Sequence, residues 1–346
     1  MKKFNIKAKN VDKKTCLHFA CEKDSPPLID YLVHLKKIDI TAKDSSDCTI
    51  LQYACQLENP KVAIYLINLG KFNLLAKDKN NNALLHITAR NGNLELVKHL
   101  IDLHQIDITS QNSDKETILH KACESGNLDL VKYLIDRNQF DVKLKNGQKE
   151  TLLHLATKSN NFELVKYLIG LNKIDIKAVD KRRRTLLHNA CLNDNLDLVK
   201  YLVKLDEIDI TAKDSSNKEN VLHIACKKGF LDIAKYLIDM DRIDLKDLNN
   251  SQENILHLAC ESGNDLLVKY IISLNAIDVL STDSSNYTIL HFAARYNNLN
   301  LMSYLLKLNK IDVNAKNTYY YTIIKIVVEN DNIELVKFLG KTIAIF

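Results

Sequence analysis

Residues 117–135 read TILHKACESGNLDLVKYLI, and the spacing inside this stretch decides the fold. Thr117 suits a helix N-cap, its hydroxyl accepting from a free backbone N–H of the first turn. Leu119, Ala122 and Cys123 follow at i, i+3 and i+4, one apolar stripe on a short helix. Gly126 ends that helix, because glycine enters a left-handed turn without steric penalty. Asn127 then caps a second helix, from about Leu128 to Asp136, expected to bury Leu128, Val131, Leu134 and Ile135.

The same pattern recurs along the chain. Its histidine slot is filled by His18, His86, His120, His154, His188, His223, His257 and His291, with Gln52 second and Lys325 tenth. Every step between slots is 34 residues, except one of 35 between His188 and His223. Ten repeats, starting near residues 10, 44, 78, 112, 146, 180, 215, 249, 283 and 317, therefore fill residues 1–346 as a single domain. The Gly126 slot holds Gly, Asn or Asp in every repeat but the second, which has Glu58. Those residue types tolerate a left-handed backbone. The next slot is Asn or Ser except at Phe230, and Pro26, Pro27 and Pro60 fall in the first turn after it, where proline is tolerated. After the second helix comes an apolar–polar–apolar triplet such as Ile106-Asp107-Ile108, then a polar turn, which together predict a short extended finger.

Helix, tight turn, antiparallel helix and finger resemble the ankyrin repeat. The residues that carry the likeness are Thr117, Leu119, His120, Ala122 and Cys123, the Gly126-Asn127 turn, and the helix that follows. Three features depart from the family pattern. The proline after the threonine is absent, the period is 34 rather than 33, and the fingertip glycine is mostly Asn, Asp, Lys or Gln. The expected fold is all-α, an ankyrin-type α-solenoid of ten helix-turn-helix repeats with short β-hairpin or finger loops.

Composition bounds the function. A chain that is 46% apolar and 26% charged supports a core, and a net charge of +5 is too small to imply nucleic acid. The lysine-rich start lacks the apolar run of a signal peptide, and no apolar run is long enough for a membrane helix. Eight cysteines without a secretory signal point to a reducing compartment, so a cytoplasmic or nuclear, non-secreted protein is expected.

His120 and Cys123 share a helical face, and the same pair occurs five times. A structural zinc needs four ligands at about 2.0–2.3 Å, and stacked helices lie about 8–10 Å apart. A catalytic pair would occur once, beside an orienting group. The cysteine slot also accepts Ala and Thr, so it asks only for a small side chain. No catalytic residue, metal or cofactor is therefore expected. The resemblance implies that the eight slot histidines bond backbone groups and tie neighbouring repeats together.

Function is then sought in positions the repeat leaves free. In ankyrin-like arrays a concave face of fingertips and first helices binds proteins. Lys181, Arg182, Arg183 and Arg184 form one fingertip, and with Lys158, Lys227 and Lys228 a basic patch that would suit an acidic segment. Tyr287, Tyr296, Tyr319, Tyr320 and Tyr321 gather in the last two repeats, as interface tyrosines often do. The expected function is non-enzymatic protein–protein binding, as a scaffold or adaptor. The alternative is a targeting or regulatory subunit of an enzyme whose catalytic part is another chain. Neither a small-molecule substrate nor membrane insertion is expected, and nucleic acid is disfavoured. The first repeat opens on a polar, lysine-rich segment that would cap the array, whereas the last ends in the apolar Ile343, Ile345 and Phe346.

Overall fold

A computed structural model describes residues 5–35, 37–57 and 59–343, without the side chains of 342 and 343. Glu58, the Ile343 side chain, Ile345 and Phe346 lie outside the described residues. The chain divides into two compact bodies, Met1–Asp180 and Lys181–Phe346. In the N-terminal body the helix pairs are α1 (Cys16–Glu22) with α2 (Pro26–His34), α3 (Ile50–Gln56) with α4 (Pro60–Asn68), α5 (Leu84–Arg90) with α6 (Leu94–Asp102), α7 (Ile118–Ser125) with α8 (Leu128–Asp136), and α9 (Leu152–Lys158) with α10 (Phe162–Gly170). The C-terminal body repeats the plan with α11 (Leu186–Leu192) and α12 (Leu196–Val203), α13 (Val221–Lys228) and α14 (Leu231–Asp239), α15 (Ile255–Ser262) and α16 (Asp265–Ser273), α17 (Ile289–Arg295) and α18 (Leu299–Lys307), and α19 (Ile323–Glu329) and α20 (Ile333–Ile343). Within each body, consecutive pairs stack side by side, so this is an all-α solenoid plan.

The caps explain why such short helices hold. Asn127 Oδ1 accepts from the Leu130 N–H at 2.9 Å, and Asn161, Asn195 and Asn298 repeat that bond to Leu164, Leu198 and Leu301. The turn between paired helices runs at φ +47° to +76° from Asp24 to Gly263, as its Gly, Asn and Asp residues permit. The buried side of the second helix is rotated from the expected one. Leu130, Val131 and Leu134 are fully buried, while Leu128 and Ile135 are only half-buried. A helix flanked by repeats on both sides buries a wider stripe than one packed on a single layer, and Leu130 takes the side nearest the preceding repeat.

The fingers are not β-hairpins. Among the described residues no strand forms, and the one isolated bridge pairs Lys43 with Thr49. The Asp inside each triplet instead folds a turn onto itself. Asp107 Oδ1 accepts from the Thr109 N–H at 2.9 Å, and Asp141, Asp175, Asp209 and Asp312 do the same two residues ahead. Further out, Asn112 Oδ1 takes the N–H groups of Asp114 and Glu116, with Lys115 between them at φ +58°. Adjacent fingers in one body are joined by single backbone bonds, such as Ser113 N–H to the Asn80 carbonyl at 3.0 Å and Ser284 N–H to the Ser251 carbonyl at 2.8 Å. Among the described residues no helix is long and apolar enough to cross a membrane.

Candidate partner-binding surface

The histidine slot lies at the root of this surface. His120 is 1% exposed; its Nδ1 accepts from the Thr117 N–H at 3.2 Å, and its Nε2 lies 3.2 Å from the Leu144 carbonyl. A carbonyl can only accept, so Nε2 carries the proton and Nδ1 is the acceptor. The ring thus does for the N-cap what a capping-box Glu would do, and its other edge reaches the finger that leads into the next repeat. The Nε2 atoms of His86, His188, His223, His257 and His291 reach the carbonyls of Glu116, Glu219, Asp247, Ser281 and Tyr321 at 3.0–3.3 Å. His154 Nδ1 meets the Thr151 N–H at 3.3 Å, and His18 Nε2 is buried without a partner among the described residues. Burial holds the rings of His18, His86, His120, His223, His257 and His291 below the usual imidazole range, so they are neutral.

The cysteines beside them are equally inert. Cys123, Cys226 and Cys260 are fully buried, and desolvation pushes their thiols far up; Cys21 rises to about 12 and Cys48 to about 11. A thiol held protonated is neither nucleophile nor metal ligand at neutral pH.

The basic residues separate into two kinds. Lys158 is ion-paired to Glu150, and Lys227 Nζ lies 3.0 Å from Glu219 Oε1. Both glutamates stand just before the helix cap of the lysine's own repeat, eight residues earlier. Lys121, five residues after Glu116, also pairs with the glutamate of its own finger, at 2.5 Å. These lysines therefore mostly neutralise their own fingertips. Lys181, Arg182 and Arg183 are exposed on the sixth finger with Arg184 half-buried behind them, and Lys228 is exposed at the end of α13. Arg183 holds φ +59°, a left-handed backbone that costs a non-glycine residue about 1 kcal/mol or more.

The tyrosines divide in the same way. Tyr287 packs edge-on against His291 at 5.5 Å, and Tyr321 lies beneath Lys325 Nζ at 3.7 Å. Tyr296, 40% exposed, bonds Glu261, which raises its phenol pKa after burial has already done so. Tyr319 and Tyr320 are 65% and 79% exposed at the tenth fingertip, and Tyr320 is held at φ +58°.

Two features were missed in the sequence. One is the Glu–Lys pairing across eight residues, legible as Glu150/Lys158 and Glu219/Lys227. The other is its failure in the eighth repeat, where Glu261 stands in the lysine's place. There Glu253 is half-buried, and desolvation raises its carboxyl pKa, with Glu261 adding to the shift. A polar cleft of about 380 Å³ also opens between the second and fourth repeats, lined by Cys48, Asp78, His86, Arg90 and Lys121 among others.

A family model described as ankyrin repeats (3 copies) matches residues 1–78, 70–146, 137–214, 187–283 and 256–345. No curated protein matched the chain.

Proposed function

Since this chain belongs to the family of ankyrin repeats, which are generally protein–protein interaction modules, we propose that it is a non-enzymatic scaffold or adaptor that grips its partner with fingertips and first helices. The observation that carries this reading is the row of exposed fingertips, each with a non-glycine residue on left-handed backbone, from Lys13 at φ +58° through Arg183 at φ +59° to Tyr320 at φ +58°. Glycine would relieve the strain at each, and strain kept along an exposed edge favours a surface role. The partner segment at the sixth finger is acidic, because guanidinium forks suit carboxylates and Lys181, Arg182 and Arg183 are exposed side by side there, with Arg184 half-buried behind them. Tyr319 and Tyr320 provide a second, aromatic anchor at the tenth finger. Eight free thiols support a reducing, intracellular compartment.

The test is titration of a fluorescent poly-glutamate peptide into the full chain, followed by anisotropy. Changing Arg182, Arg183 and Arg184 together to Glu should abolish binding, and added salt should weaken it in the unsubstituted protein. Equal affinity before and after the triple change would remove the sixth finger from the interface. Lys158→Ala and Lys227→Ala, at lysines already paired with glutamates, should change affinity by less than about threefold.

A further inference from the structure

Each junction within a body is made of complementary slots, one facing forward and one backward. The backward slot of the second helix is filled by Val62, Leu96, Leu130 and Leu164, all at most 1% exposed, but its first occupant, Leu28, is 43% exposed. The forward slot of the first helix is filled by Cys191, Cys226, Cys260 and Ala294, each 0% exposed, but its last occupant, Val328, is 59% exposed. Phe19 and Tyr31 lie open beside Leu28, at 42% and 65%. Residues 5–15 cover little of this face: Cys16 Sγ donates to the Ile6 carbonyl, while Phe19, Leu28 and Tyr31 stay exposed.

The outer face carries a matching polar device. Lys98 Nζ lies 5.1 Å over the Tyr133 ring of the next repeat, and Lys200, Lys235 and Lys269 lie 5.2–5.7 Å over Tyr236, Tyr270 and Tyr304. In each of these pairs the lysine faces forward and the tyrosine backward. Lys337, the same slot in α20, is exposed, and so is Tyr31, the same slot in α2. One end therefore presents the cation and the other the ring.

We propose that these two faces are the halves of one interface, and that a second copy of this chain occupies it head to tail. Val328, with the half-buried Ile324 and Val336, packs on Leu28 and Phe19, and Lys337 lies over Tyr31. The contact continues the repeat-to-repeat junction already built inside each body. Lys325, which replaces the histidine, does not block it, because its ammonium is turned onto the Tyr321 ring. Such a contact joins two different surfaces, so it propagates rather than closing at a symmetric dimer. It uses faces distinct from the fingertips, and so stands or falls apart from partner binding.

Light scattering across a concentration series tests it on the full chain. The mass should rise with concentration above 39.5 kDa. Leu28→Glu and Val328→Glu, at exposed positions, should each hold the protein at the monomer mass with an unchanged circular dichroism spectrum. Mixed in equal amounts, those two variants should form a species of twice the monomer mass and nothing larger, because the mixture retains one intact junction. Tyr31→Ala and Lys337→Ala, which disturb no core, should each weaken association about fivefold. A monomer up to about 1 mM, association that survives either glutamate substitution, or a mixture that stays monomeric would each overturn the proposal.

Discussion

Replacing His120 by alanine removes a ring that is 1% exposed and serves two polar groups at once. The Thr117 N–H loses its acceptor at 3.2 Å, and the Leu144 carbonyl loses its donor at 3.2 Å. An orphaned buried group costs about 1–3 kcal/mol. Thr117 is buried and falls at the upper end, whereas Leu144 is half-buried and water can reach it, so it falls at the lower end. With the void left by the ring, the expected loss is about 3 kcal/mol. The second repeat supplies the control. Gln52 accepts from the Thr49 N–H at 2.9 Å and donates to the Ala76 carbonyl at 3.0 Å, the same two positions served by the ring. His120→Gln should therefore cost no more than about 1 kcal/mol. Urea titrations at pH 7, followed by helix signal and compared at constant slope, measure both. If alanine costs less than glutamine, or both stay within about 0.5 kcal/mol of the parent, the ring is filler and the reasoning fails.

Acid should destabilise the fold through its buried histidines. Six slot histidines have folded pKa values lowered by burial, so below about pH 6.5 the unfolded chain binds protons that the folded chain refuses. Stability is full above that pH and falls as pH drops, by about 1.4 kcal/mol per unit for each such proton; urea midpoints that match at pH 7.5 and 5.5 would contradict this. Iodoacetamide at pH 8 should alkylate the half-buried Cys16 in native protein and all eight cysteines only after denaturation, as read by mass spectrometry. Rapid native labelling of Cys123 would refute its burial. Gly126→Ala should cost about 1 kcal/mol more than Gly263→Ala. Both have left-handed φ, but a Cβ at 126 meets Ser159 Oγ at 3.1 Å and one at 263 meets nothing within 4 Å.

Much of the fold was legible because its signals are local. The 34-residue step, the Thr or Asn cap and the Gly, Asn or Asp turn each depend on backbone needs within a few residues, so a repeated pattern exposes them. The fingers were misread for the opposite reason. Alternation in Ile106-Asp107-Ile108 looks like a strand, yet Asp107 spends its carboxylate on the Thr109 N–H, and a local side-chain bond outcompetes pairing with a partner strand. At the candidate surface, the sequence alone placed basic residues on the sixth finger and tyrosines on the tenth. It did not show that Lys158 and Lys227 lie against Glu150 and Glu219, because that depends on how the helix folds back beneath its own finger.

The sequence by itself determined the helix pairs, the number of repeats, the neutral packing role open to Cys123 and the family. Each is a periodic property, and periodicity survives without coordinates. Only the tertiary structure decided which cations are matched by glutamates, which tyrosines are packed, and that Leu28 and Val328 stand exposed in slots that are closed elsewhere in their own bodies. Those are properties of what lies beside a residue in space, and identical slots differ there only because their neighbours differ.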